Sequence, residues 1–228
     1  MKKYFYLFVL VLIGFLFVQC ERKKIVLRGE ENGYVYVNLG LSVKWATCNV
    51  GADMPEEYGG YFAWGEVEPK KTYGWSTYKY GSDADQLTKY CNDSNYGKDG
   101  FVDNKIVLDL EDDVAAVNWG GSWRMPTKAE EDELRDNCTW IWTTENGVNG
   151  YIVTSNVEGY TDCSIFLPAA GCMYEDTLYH AGVGGYYWSS SLYTNNSDLD
   201  YYLYFNSDYE EWNYNFRFRG HSVRPVCP

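Results

Sequence analysis

The chain has 228 residues, enough for one domain with a sizeable core behind an export segment. Its formal charge is −13 with Lys2 and Lys3 counted, hence −15 without them, and a field of that sign excludes nucleic acid and anionic membrane surfaces as partners. Aromatic residues make up 18%, with 23 Tyr and 9 Trp against 4 Met, a rigid amphipathic composition suited to packed β-structure and contact surfaces.

Met1 to Cys20 reads as a leader: Lys2 and Lys3 precede an apolar run, Tyr4 to Val18, too short to span a bilayer comfortably. The run ends in Phe17-Val18-Gln19-Cys20, which resembles a bacterial lipoprotein signal with Cys20 as the lipidated residue, although Gln19 and Phe17 depart from the usual pattern. The alternative is a short uncleaved anchor. Glu21 to Gly33 is charged and without periodicity, so residues 21–33 are expected to be a tether and residues 34–228 the domain.

Tyr34 to Leu39 alternates, and Leu41, Val43, Trp45 and Thr47 continue in period two, predicting a strand pair. Pro55 to Tyr58 suggests one helical turn and Tyr61 to Trp64 a short strand. Glu66 to Asp109 loses all period and reads as a long excursion over the surface. Leu110 to Val117 predicts a short helix whose Asp112 and Asp113 suit the positive end of the dipole. The main helix follows Gly120, Gly121 and Pro126. Thr127 with Glu130 forms a capping box, Ala129, Leu134 and Cys138 give a narrow apolar stripe, and Glu131, Asp132, Glu133 and Arg135 are expected to face water. Thr139–Thr143 and Tyr151–Thr154 bracket two Asn-Gly pairs, the clearest hairpin signal in the chain. Strands are further predicted at Ile165–Pro168, Gly184–Ser191, Leu199–Phe205, Trp212–Phe218 and His221–Val226.

Setting Cys20 aside leaves Cys48, Cys91, Cys138, Cys163, Cys172 and Cys227. An even count in an exported chain permits disulfides, with Cys163–Cys172 and Cys48–Cys227 as candidate pairs, and buried free thiols as the alternative.

The segments LGLSVKWATCNVGA (Leu39 to Ala52), EEYGGYFAWGE (Glu56 to Glu66), LEDDVAAVNWGGSWRMPTKAE (Leu110 to Glu130), CTWIWTTENGVNGYIVTS (Cys138 to Ser155), SIFLPAAG (Ser164 to Gly171), YYWSSS (Tyr186 to Ser191) and GHSVRPV (Gly220 to Val226) resemble, in order, the Fibrobacter succinogenes major paralogous domain family. That family is abundant in exported bacterial lipoproteins. The resemblance implies an α+β, C-type-lectin-like domain: small antiparallel sheets, two helices, paired termini and a long loop region, distantly related to formylglycine-generating enzymes. It also implies an outer-membrane lipoprotein, periplasmic or surface-facing, held to the membrane only through its lipid anchor.

The residues argue against catalysis. Only Cys172 and Cys227 fall after residue 170, and neither lies in a motif matching the copper-binding cysteines of formylglycine-generating relatives. His180 and His221 are the only histidines, Trp188-Ser189-Ser190-Ser191 lacks the glycines of a nucleophile elbow, and no zinc spacing is present. Glu66 with Glu68, and Glu210 with Glu211, are acid pairs of a kind common in an acidic chain. No cofactor is indicated. Calcium is the metal to consider, at Glu111, Asp112 and Asp113 or at Asp99, Asp103 and Asn104, without EF-hand spacing.

A ligand-binding surface is expected in the C-terminal third. Tyr193, Asn195, Asn196, Tyr209, Trp212, Asn213 and Tyr214 combine aromatic area with adaptable amides, whereas Tyr201, Leu203, Phe205, Phe216 and Phe218 read as core. The expected activity is non-catalytic binding of a glycan or a surface protein. The alternatives are a structural or assembly component of a surface appendage and a divergent enzyme related to formylglycine-generating proteins.

Overall fold

The computed structural model describes residues 27–228. The leader and Cys20 lie outside the described residues. Among the described residues, twelve short strands, two α-helices and three single-turn 3-10 helices build a set of small antiparallel sheets with little helix.

The first sheet begins inside the segment read as a tether. β1 (Arg28–Glu31) pairs with β2 (Tyr34–Val37) across Asn32-Gly33, both at positive φ, 48° and 86°. This is the Asn-Gly hairpin chemistry expected further along the chain, present here a residue earlier than the predicted domain start. β3 (Lys44–Ala46) and β12 (Val226–Cys227) complete the order β1-β2-β3-β12, so the two ends of the described chain share one sheet. Tyr61–Trp64 contributes only a bridge, Phe62 opposite His221, and Pro55 makes a turn rather than a helical one.

The hairpin is held by the double-glycine turn. α1 (Val114–Trp119) is capped by Asp113, whose Oδ1 accepts from the amides of Ala115 and Ala116, and ends at Gly120, φ 63°. Gly121, φ 60°, has its missing Cβ 2.7 Å from Glu31 Oε1, so the tight approach depends on glycine. Trp119 stacks on Tyr34 at 3.9 Å and 5°, and Trp123 donates its indole N–H to the Glu31 carbonyl at 2.7 Å. The charged stretch is thus tied down by aromatic packing that its own composition does not announce.

α2 (Lys128–Asp136) carries the predicted capping box in full. Its inward face differs from expectation. Leu134 and Cys138 are buried and Ala129 is exposed, while Glu131 is 1% exposed. Burial raises the Glu131 carboxyl well above its ordinary range, with Asp132 and Glu130 adding to the shift. A nine-residue helix pressed against strands on one side and a sheet edge on another leaves fewer solvent positions than a free amphipathic helix.

β4 (Cys138–Glu145) and β5 (Val148–Ser155) turn at Asn146-Gly147, φ 49° and 86°, and pair Glu145 with Val148. The second Asn-Gly lies within β5. Gly150 sits there because a Cβ would meet the Leu167 carbonyl at 2.3 Å, across to β6 (Ser164–Pro168). β7 (Cys172–Tyr174) and β8 (Thr177–Tyr179) form a small hairpin that the sequence pattern did not signal. β9 (Gly185–Leu192), β10 (Leu199–Phe205) and β11 (Glu210–Phe216) form the sheet of the C-terminal third, with β11 at its edge.

Two hydrophobic clusters fill the interior. One gathers Trp64, Tyr90, Trp123 and Trp188; the other gathers Leu39, Trp45, Val153 and Phe205. The expected surface excursion supplies much of the first, with Tyr73, Tyr78, Tyr80 and Tyr90, and its Leu87 is buried as well. Irregular backbone there is anchored from the side chains. Arg217 is fully buried, donates to the carbonyls of Lys89, Tyr90 and Ser197, and lies 4.8 Å from the Trp64 ring.

All six cysteines of the described residues are free thiols, so neither candidate disulfide is formed. Cys163 immediately precedes β6, whereas Cys172 opens β7 beyond Ala169-Ala170-Gly171. Cys227 is opposite Lys44 in the β3–β12 ladder, whereas Cys48 lies beyond the end of β3 and directs its thiol to the Asp53 carbonyl at 3.5 Å.

Candidate ligand-binding surface

On β11 the side chains alternate, and the registers Tyr201 with Tyr214 and Leu203 with Trp212 place these four on one face. At its open end Tyr193 stacks on Tyr214, centroids 4.5 Å apart and 14° between planes, and meets Tyr201 edge-on at 5.1 Å. Tyr214 is 50% exposed. Asn195 is exposed in the turn beside them and donates its amide to the Tyr193 hydroxyl at 3.2 Å; Asn196, half-buried, closes the turn through its backbone. Asn195 and the two stacked rings form one continuous amphipathic patch, which Asn196 adjoins.

The other predicted residues separate from it. Trp212 is half-buried, donates its indole N–H to Asp132 of α2, and is covered by Lys128 at 4.5 Å from the ring. It ties the helix to the sheet. Tyr209 is 46% exposed but sits in the β10–β11 turn, near Tyr204 and five residues along the edge from Tyr214. Asn213 points to the strand edge, where its Oδ1 accepts from the Tyr214 amide at 2.9 Å; Asn215 does the same for Phe216. Two backbone donors on the outer edge of β11 are therefore occupied by the chain's own amides. Of the residues assigned to the core, Leu203, Phe205 and Phe218 are buried, Tyr201 is half-buried, and Phe216 is 38% exposed because it ends the edge strand.

Of the carboxylates considered for calcium, Asp103, Glu111, Asp112 and Asp113 are already engaged. Asp109, Glu111 and Asp112 can bring one oxygen each within 4.8 Å of one another, and the Lys89 ammonium lies among them at 2.9, 3.0 and 2.6 Å. Asp112 also accepts from Lys79, Tyr80 and Tyr90. Burial alone would raise its carboxyl, but these donors hold it well below the usual range. Asp113 spends Oδ1 on the α1 cap and Oδ2 on the Met125 amide. Asp103 accepts from the amides of Tyr90, Cys91 and Lys105. A built-in cation and backbone amides satisfy the oxygens that a metal would need.

Ser189 and Ser190 are buried in β9, and the Ser189 hydroxyl bonds the Tyr201 carbonyl rather than a histidine. His221 is fully buried and stacked on Trp188 at 3.9 Å; burial drives its pKa far below the ordinary imidazole value. Glu66 is paired with Lys70 at 2.9 Å.

A second feature escaped sequence reasoning. Trp75, Tyr174 and Phe218 line an open cleft of about 370 Å³ with Thr72, Ser76, Glu175 and Asp176. Its residues come from three distant segments, and no local pattern joins them. Comparison with family profiles, with characterised proteins and with solved structures returned no match. Among the described residues no helix is long and apolar enough to cross a membrane.

Proposed function

We propose that this chain is an envelope lipoprotein, tethered through Cys20, whose C-type-lectin-like domain belongs with the family its segments resemble and binds a glycan or a protein ligand without catalysis. The observation that carries the reading is the Tyr193–Tyr214 stack, an aromatic platform of an exposed and a half-buried ring packed edge-on against Tyr201 and edged by the Asn195 amide. Rigid rings give contact area at little entropic cost, and the neighbouring amides supply adaptable hydrogen bonds. The sharing of one sheet by the first and last strands is consistent with the fold the resemblance implies.

Assembly by strand addition is less well supported, since Asn213 and Asn215 occupy donors that an incoming strand would use. An oxidase reading is weakened in the same way: burial pushes the Cys172 thiol up to about 11, away from the reactive thiolate, and Cys227 belongs to another sheet. The test is a glycan array on the full-length chain in detergent, with and without calcium. A selective hit lost in Tyr214→Ala supports the lectin reading; a blank array, with a protein captured through the same patch, moves it to a protein ligand.

A further inference from the structure

The cleft at Trp75 opens onto a run of rings in unbroken contact. Trp75 meets Phe218 at 5.0 Å, and Phe218 meets Tyr174 at 6.1 Å. From Tyr174 the path passes to Tyr179 at 6.5 Å, then to His180 at 6.3 Å and Tyr186 at 6.0 Å. It ends through Tyr204 at 5.1 Å and Tyr209 at 5.9 Å. Trp75, Tyr174, Tyr186 and Tyr204 are half-buried, while Tyr179, His180 and Tyr209 are exposed. Tyr204 pairs with Tyr186 and Glu211 in the β9–β10–β11 ladders, the alternate set to Tyr201 and Tyr214. Tyr186 and Tyr204 therefore lie on the opposite sheet face from the Tyr193–Tyr214 platform.

The rim of the path carries polar groups. Thr72 and Ser76 hydroxyls and the Glu175 and Asp176 carboxylates edge the cleft. The Arg219 guanidinium lies 3.7 Å from the Tyr174 ring centre, and Asn206 donates to the Tyr204 hydroxyl at 3.2 Å. A purely apolar partner would strand these groups. Aromatic faces flanked by hydroxyls, amides and carboxylates match a ligand with C–H faces and hydroxyl edges. The formal charge of −13, with two acids at the cleft itself, rejects a polyanion.

We propose that this path, from Trp75 through Tyr174, Tyr179, Tyr186 and Tyr204, is a track for an extended uncharged polysaccharide, with the Glu175 and Asp176 carboxylates accepting hydrogen bonds from hydroxyls of the sugar seated in the cleft. The inference rests on the glycan-binding reading but places the chain-binding site on a different face. A linear track makes affinity rise with oligosaccharide length, since each further sugar adds a stacked ring.

The test is native affinity electrophoresis of the full-length chain in detergent, through gels containing hydroxyethylcellulose, laminarin, yeast mannan or dextran, with polylysine and heparin as charged controls. Retardation by an uncharged polysaccharide is expected, weakened at least tenfold in Tyr179→Ala/Tyr204→Ala and retained in Tyr214→Ala. Glu175→Gln/Asp176→Asn, at two exposed positions, is expected to weaken retardation as well, and it decides the matter should the ring variant fail to fold. Retardation unchanged in both double variants overturns the track. Retardation lost only in Tyr214→Ala overturns it while leaving the Tyr193–Tyr214 platform as the site. Binding to polylysine alone points to a cationic peptide and overturns it, and a blank across all gels overturns both readings.

Discussion

The Arg217 guanidinium lies 3.3 Å from the Asp200 carboxylate, and both side chains are fully buried. Arg217 also fastens the irregular segment around Lys89 and Tyr90 to the C-terminal sheet. Removing one partner leaves an uncompensated charge in the interior. Asp200→Ala is expected to cost about 3–5 kcal/mol, whereas a paired Asp200→Leu/Arg217→Met replacement costs less than the sum of its single changes. Urea denaturation of Asp200→Ala, of the double variant and of its two single changes checks both points, and additive losses would show that the pair is not coupled.

Stability should rise on mild acidification. Burial raises the Asp200 and Glu131 carboxyls well above their ordinary values; Arg217 opposes the shift at Asp200, as Lys128 and Arg135 do at Glu131. Between the unfolded value of about 4 and the raised folded value, the native state holds protons that the unfolded state has released, so stability falls as pH increases. Asp112 acts in the opposite sense: its contribution is present above about pH 4 and is lost as pH drops towards its lowered folded value. The melting temperature is therefore expected to climb from pH 7 to about pH 5 and to collapse below pH 4. Glu131→Gln/Asp200→Asn should flatten the upper limb, and an unaltered limb would assign it to other groups.

Lys89 stands where a metal would. Wild-type chain is expected to show no change of melting temperature with millimolar calcium, and Lys89→Ala, though less stable in its absence, should gain stability on calcium addition as Asp109, Glu111 and Asp112 are vacated. A calcium response in the wild type would place the ion elsewhere.

Trp123→Ala removes a side chain that is 1% exposed, together with its bond to the Glu31 carbonyl. A loss of about 3–5 kcal/mol is expected by denaturant titration. A chain truncated before Asn32 should lose part of the same energy, because β1 and the Gly120-Gly121 turn stabilise one another.

The outer edge of β11 is guarded by two side-chain amides. Asn213→Ala/Asn215→Ala frees the Tyr214 and Phe216 amides beside exposed aromatic rings. Concentration-dependent self-association is expected by light scattering, with little change in melting temperature. A strictly monomeric double variant would mean that the bulk of Tyr214 and Phe216, rather than the amides, protects the edge.

Local rules made much of the fold legible. Thr127 with Glu130 announced α2, Asn146-Gly147 announced the β4–β5 turn, and strict alternation announced β10 and most of β11, because each depends on backbone chemistry within a few residues. The same rule was available at Asn32-Gly33 and would have moved the domain start back to β1. Composition also pointed to rings and amides around residues 193–214, of which Tyr193, Asn195 and Tyr214 share an exposed patch, with Asn196 alongside.

Other features had no local signature. Whether Trp212 met solvent or Asp132, whether Asp112 met an ion or Lys89, and whether the tyrosines between Glu66 and Asp109 lay outside or within the core depended on partners as far as 127 residues away. The aromatic path from Trp75 to Tyr209 is assembled from loops, the β7–β8 hairpin and two strands. The sequence by itself determined the elements whose hydrogen bonds close over three or four residues. Tertiary structure alone decided which polar and aromatic side chains are exposed, since burial is a property of the surfaces that long-range packing brings together.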